Sequence, residues 1–176
     1  MSDLDPLRYP VGRFDPEGPI TQAHRDRWSD EIAALPERLR VALDGLSDRQ
    51  LDTPYRPGGW TLRQVAFHLP DSHFNGYARI KWALTEERPT IKPYDENGWM
   101  EFADSDLPVE VALRTLDGLH ARWATLLRGL SDEQFERTYL HPDDGEVSVE
   151  QALGTYAWHG RHHLAHVTGL VEREGW

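Results

Sequence analysis

The sequence predicts an all-α protein built as a four-helix bundle. Three observations carry that expectation: long amphipathic stripes, Ser/Thr-x-x-Gln boxes that open the segments between them, and four histidines packed into Tyr156–Val167. Apolar residues at i, i+3, i+4 and i+7 mark one face of a helix, and such faces are buried against one another.

Residues 1–20 hold Pro6, Pro10, Pro16 and Pro19 and cannot form one helix. They are expected as an irregular arm on the domain that occupies 21–176, with Tyr9 and Phe14 as anchors. Thr21 suits an N-cap, and Trp28, Ile32, Leu35, Leu39, Ala42 and Leu46 make the first stripe, bent at Pro36 and ending near Gly45. Ser47–Gln50 reads as a capping box for a short helical turn, and the loop Pro54–Gly59 stops it. Thr61–Gln64 opens a second long helix toward Leu84, with Pro70 expected to kink it near His68. Residues 86–107 form a long connection between helices two and three, of a length that is often functional inside a compact domain. Pro108 suits a first helical position, followed by the stripe Val109, Ala112, Leu116, Leu119, Trp123, Leu126 and Leu130. Ser131–Gln134 caps another short turn, His141–Glu146 holds a tight Asp-Asp-Gly turn, and Ser148–Gln151 caps the last long helix.

The order looks like a diverged internal repeat. GLSDRQ at 45–50 and GLSDEQ at 129–134 each end a long helix and begin a short one. Each is followed by a loop and then by a box opening a helix that bears histidine. His68 and His159 sit at offsets from their caps that differ by about 40° around the helix, so both leave nearly the same face.

Composition narrows the function. The chain has no cysteine, which removes disulfides, thiolate ligands and a protein thiol nucleophile. A formal charge of −11 argues against binding nucleic-acid phosphates. No apolar run is long enough to span a membrane and the start resembles no signal peptide, so a soluble, cytoplasmic protein is expected.

On the last helix Val149, Ala152, Tyr156, Gly160, Val167 and Leu170 define the buried face. His163 falls within that face and His159 at its edge, an i, i+4 pair that can grip one ion. His162 turns toward the polar side, and His166 lies near the rim. His68 is the candidate third ligand, with Asp71 placed to orient an imidazole. The stripe His68, Ser72, Asn75 and Arg79 could equally face solvent. His24, His73, His120 and His141 read as ordinary surface or packing histidines.

The chain resembles the YfiT family of the DinB-like superfamily, a group associated with bacillithiol transferase-type enzymes. The resemblance runs through YPVG (9–12), LDTPYRPGGWTLRQV (51–65), HLPDSH (68–73), ALTEERPTIKPYDE (83–96), GLHARW (118–123), FERTYLHP (135–142) and YAWHGRHHLAHV (156–167). It implies a four-helix bundle, a homodimer, and one divalent ion per subunit held by His68, His159 and His163. Phe67 departs from close relatives, which often carry histidine there; on a helix it points away from the direction of His68.

Three neutral imidazoles around zinc or nickel leave a position open for water or substrate. Water there implies a metal-dependent hydrolase; a small-molecule thiol implies an S-transferase that conjugates it to electrophiles. The resemblance favours the second, with bacillithiol as cosubstrate and detoxification as the role. A non-catalytic, metal-dependent binding protein is a third reading. Bacillithiol is anionic, so Arg79, Lys92 and Arg161 are the expected cations of its pocket, with Tyr94 and Trp99 as lid residues.

Overall fold

The computed structural model describes residues 5–16 and 18–176; residues 1–4 and 17 of the expected arm lie outside them. Four long helices carry the fold: α1 (Gln22–Leu43), α3 (Leu62–Thr85), α5 (Val109–Arg128) and α7 (Val149–Glu174), with short α2 (Asp48–Leu51), α4 (Glu96–Trp99) and α6 (Asp132–Glu136) between them. All the expected boxes form. Thr21, Ser47, Thr61, Ser131 and Ser148 each exchange contacts with the residue three positions on, satisfying donors that a helix start leaves free. In α1 that residue is His24, whose Nδ1 receives the Thr21 N–H at 3.1 Å. α1 and α3 run through Pro36 and Pro70 without interruption. Pro108 stands one residue before α5, as its cap rather than its first residue.

α1 packs on α7 and α5, and α3 packs on the same two helices. Within each half of the chain the two long helices therefore lie across the bundle from each other, α1 from α3 and α5 from α7, while α3 and α5 are neighbours. This arrangement is compatible with a two-fold repeat of helix–turn–helix units, and it places α3 beside α7. The repeat extends to the loops. The Leu62 N–H reaches back to the Thr53 carbonyl as the Val149 N–H reaches back to that of Arg137, each just inside its capped helix.

Two parts differ from expectation. The Asp-Asp-Gly turn belongs to an antiparallel hairpin, β1 (Thr138–His141) with β2 (Gly145–Ser148), closed by Gly145 at φ 80°. Strands of four residues are too short for alternation to be read against helical neighbours. The connection 86–107 is also not structureless. It contains α4 and a 3₁₀ turn (Ala103–Asp106), and the Ile91 N–H is held by the Leu140 carbonyl at 3.0 Å.

The core divides into two apolar clusters, one around Leu39, Leu62, Leu69 and Leu116 and the other around Trp28, Ile32, Ile80 and Trp123. Phe67 lies in the first. The described part of the arm is tied down where Phe14 packs edge-on against Trp28 and where Trp158 Nε1 donates to the Gly12 carbonyl. No helix of the described residues is long and apolar enough to cross a membrane.

Candidate metal centre

α3 and α7 touch because Gly76 leaves room for a ring. A Cβ at that position would overlap the ring of Tyr156, so any larger residue would force the two helices apart. Beyond this contact, toward the N-terminus of α3 and the C-terminus of α7, the two helices bring imidazoles together. One ring nitrogen from each of His68, His159 and His163 lies within 4.8 Å of the others, the only such group of three among the described residues. Nε2 of His68 faces Nε2 of His159 at 3.1 Å, and the His163 ring centre lies 4.7 Å from that of His68 and 4.5 Å from that of His159.

This donor set fits a divalent ion. Two nitrogens bound to one tetrahedral zinc at about 2.0–2.1 Å stand roughly 3.3 Å apart, close to the spacing seen. Burial keeps the rings in the neutral form that ligates. It lowers the pKa of His68 to about 3, with His162 and His166 adding to the effect, and it drives His159 and His163 well below the ordinary imidazole value.

The cluster lies at the floor of a cavity of about 460 Å³. Its walls include Tyr55 from the Pro54–Gly59 loop, Trp60 just after it, Tyr94 and Glu96 from the long connection, and Arg8 and Arg56. The Trp60 ring centre is 4.5 Å from that of His68, and Tyr55 stacks on His166 at 3.9 Å. A second cavity, of about 710 Å³, reaches Ser72 and His159 from another side and is lined by Arg79, Tyr139 and Tyr156.

The remaining expected residues sort differently. Asp71 makes no described contact with an imidazole; instead the Tyr94 hydroxyl stands 3.5 Å from His68 Nδ1, while burial, with Asp104 nearby, pushes the Asp71 carboxyl up to about 6. His166 is placed behind a ligand, its Nδ1 3.4 Å from His163 Nδ1. His162 is edge-on to His163 and lines the cavity, with its own Nδ1 unpartnered. Arg79 lines the second cavity and donates to Tyr156 Oη at 3.3 Å and to the Lys92 carbonyl at 3.2 Å. Lys92 contributes only that carbonyl and its side chain is exposed, so it is no cation of the pocket. Arg161 is also excluded from it, because α1 supplies Glu31 as an ion-pair partner beside α7. Tyr94 walls the first cavity, and Trp99 packs edge-on against Tyr94 from outside it, at 4.7 Å.

Sequence reasoning missed two sets of residues. Arg8 and Arg56 sit on an arm and a loop, where no periodicity predicts direction. His73 and His120 had a readable signal: both fall inside apolar stripes, His73 between Leu69 and Ile80 and His120 between Leu116 and Trp123. Neither is an ordinary packing residue. His73 Nε2 lies 3.1 Å from His159 Nδ1, and His73 Nδ1 lies 2.8 Å from His120 Nε2. His24 and His141 do serve locally, as a helix cap and in the hairpin turn, where His141 Nδ1 lies 3.3 Å from the Asp144 carboxylate.

A family model described as DinB superfamily matches residues 31–167. The chain belongs to the DinB superfamily. It is 54% identical over 173 residues to a Bacillus cereus protein named "Putative metal-dependent hydrolase", with 98% of this chain and all of the relative covered. A Bacillus anthracis relative of the same name is 53% identical over the same length. Among solved structures, YfiT from Bacillus subtilis, described as a probable metal-dependent hydrolase with an unusual four-helix bundle topology, superposes with a TM-score of 0.93. It shares 47% identity, and the match covers 97% of this chain and 99% of YfiT. A second four-helix bundle protein, TT2238, matches at TM-score 0.55 and 20% identity, a likeness of fold alone.

Proposed function

We propose that this DinB-superfamily protein is a divalent-metal enzyme of the S-transferase type, joining a small anionic thiol of the bacillithiol class to an electrophile. The reading is supported above all by one juxtaposition. The three-imidazole cluster forms the floor of a cavity that also carries Arg8 and Arg56, and neither guanidinium has a carboxylate partner among the described residues. In a chain of net charge −11, two unpaired arginines beside a ligand cluster suit an anionic small molecule. A zinc or nickel ion held by His68, His159 and His163 would supply a Lewis acid that lowers the pKa of a bound thiol.

The chain's own residues do the rest. Arg8 and Arg56 draw the thiol's anionic groups to the cavity, and Tyr55 and Trp60 form an apolar wall that limits water near the cluster. The second cavity, which shares Ser72 and His159 with the first, gives the electrophile its own approach, with Arg79 and Tyr156 along it. The sulfur forms a new bond to the electrophilic carbon, the displaced group leaves with the electron pair, and the thiol proton passes to solvent. With no cysteine in the chain, the sulfur must arrive as a cosubstrate. We place the enzyme in the cytoplasm as a homodimer, a reading helped by the exposed apolar side chains of Phe74, Trp82 and Phe102.

A hydrolase using the same cluster on water is the second reading, favoured by the names of the relatives. One comparison separates the two: zinc- or nickel-loaded protein with bacillithiol, with another small thiol, and with no thiol, against one panel of electrophiles and esters. Thiol-dependent conjugation that needs the metal is the expected result. Ester cleavage without thiol that outpaces conjugation would sink the transferase reading.

A further inference from the structure

Three buried histidines stand behind the cluster without belonging to it: His73, His120 and His166. Two lines of imidazoles run outward from the ligands, and each ends on a backbone carbonyl. His159 Nδ1 meets His73 Nε2 at 3.1 Å, His73 Nδ1 meets His120 Nε2 at 2.8 Å, and His120 Nδ1 meets the Ile32 carbonyl of α1. On the other side His163 Nδ1 meets His166 Nδ1 at 3.4 Å, and His166 Nε2 meets the Arg8 carbonyl of the arm at 3.3 Å.

A carbonyl has no proton to give, and this fixes the direction of every bond in each line. His120 must carry its proton on Nδ1, facing Ile32. A neutral imidazole has one N–H, so His120 Nε2 is a bare acceptor and His73 Nδ1 must donate to it. His73 Nε2 is then an acceptor in turn, and His159 Nδ1 donates, leaving His159 Nε2 as a lone pair facing the cluster. The same logic runs through the short line. His166 donates from Nε2 to Arg8, accepts at Nδ1, and forces the proton of His163 onto Nδ1. The order holds for neutral imidazoles, the form in which histidine ligates a metal.

We infer that two carbonyl-anchored relays, Ile32–His120–His73–His159 and Arg8–His166–His163, set the tautomers of two ligands and turn both Nε2 lone pairs into the cluster before any ion arrives. His73, His120 and His166 are positioning residues. The inference rests on the reading of His68, His159 and His163 as a metal cluster. Free neutral histidine favours the proton on Nε2, so the relays work against the intrinsic preference, and each ligand reaches the ion with its orientation already chosen. His68 is the exception. With His159 Nε2 a bare acceptor 3.1 Å away, His68 Nε2 is the donor of that pair in metal-free protein and must move its proton to Nδ1 to bind an ion.

Two-bond ¹H–¹⁵N correlation spectra of the metal-free full chain near pH 7.5 read these tautomers directly. Nδ1–H is expected for His73, His120, His159 and His163, and Nε2–H for His166 and His68, with His68 switching when zinc is added. Nε2–H at any of His73, His120 or His159 overturns the long relay, and Nε2–H at His163 overturns the short one.

Zinc affinity of His120→Leu and His120→Gln supplies an independent readout. Glutamine keeps an acceptor near the position of Nε2, whereas leucine removes it. Affinity should fall by about 10–100-fold in the leucine variant and stay within roughly threefold of the parent in the glutamine variant. Equal affinities in all three proteins, or equal loss in both variants, would refute the positioning role. A parent protein that binds no zinc would sink the metal reading while leaving the tautomer pattern to be judged from the metal-free spectra.

Discussion

The ring of Tyr156 occupies the space that Gly76 leaves open between α7 and α3, and the same hydroxyl receives a hydrogen bond from Arg79 at 3.3 Å. This contact sets the distance between the two helices that carry His68 and His159. Gly76→Ala gains about 1 kcal/mol of helix propensity but inserts a methyl into a filled site, a change that typically costs about 1–3 kcal/mol. The ring is buried and its hydroxyl engaged, so the steric loss should win. A net destabilisation of up to about 2 kcal/mol in urea unfolding is expected, with weaker zinc binding. A more stable variant with unchanged affinity would show that the contact does not set the helix spacing.

Much of the fold is legible in the sequence because its signals are local. Four Ser/Thr-x-x-Gln boxes, an N-cap at Thr21 and the apolar stripes mark the helices, and the repeat places α3 and α7 as equivalents. Helical angle turns His159 and His163 inward and makes His68 a candidate, and the family resemblance joins the three into one ligand set. What is not legible depends on neighbours distant in sequence. Arg161 and Arg79 look alike as cations near histidines, yet Glu31 on α1 captures Arg161 while Arg79 stays without a carboxylate partner among the described residues. Phe14 and Tyr9 can be guessed as anchors of the arm, but nothing local shows that the carbonyl of Arg8 will meet His166. Likewise, an imidazole inside an apolar stripe reads as packing until a second such stripe is set against it, as happens with His73 and His120.

Removing a ligand separates the cluster from the fold. His159→Ala deletes one of three ring nitrogens that meet within 4.8 Å and leaves the apolar face of α7 intact. Stoichiometric zinc or nickel should be lost and the activity of the loaded enzyme abolished, while the helical circular dichroism stays that of the parent. Metal analysis of the purified variant decides it. Full retention of one ion per chain would place the ion elsewhere.

The cations of the cavity should act on the thiol rather than on the chemistry. Replacing both Arg8 and Arg56 by glutamine removes the two unpaired guanidiniums that line the first cavity. A charge-assisted hydrogen bond is worth about 1.5–3 kcal/mol, so KM for an anionic thiol should rise by roughly tenfold or more with kcat little changed. The parent's KM should rise with salt and the double variant's should not. The same KM for anionic and neutral thiols in both proteins would show that these arginines do not read the thiol's charge.

Acid should destabilise the fold through its buried imidazoles, and His120 supplies the measurable case. Burial lowers its pKa from 6.5 to about 4, only partly opposed by its bond to the Ile32 carbonyl. Above pH 6.5 neither the folded nor the unfolded ring is charged, and the full stability is present. As pH falls toward 4 the unfolded chain takes up a proton that the folded chain refuses, so stability falls with pH, by about 3 kcal/mol for this one ring. Below that point both states are protonated and the loss levels off. Unfolding free energy measured in urea from pH 7.5 to 4 should therefore slope more steeply for the parent than for His120→Gln, by up to one proton's worth. Parallel slopes would mean that His120 titrates alike in both states, which its burial between α1 and α3 forbids.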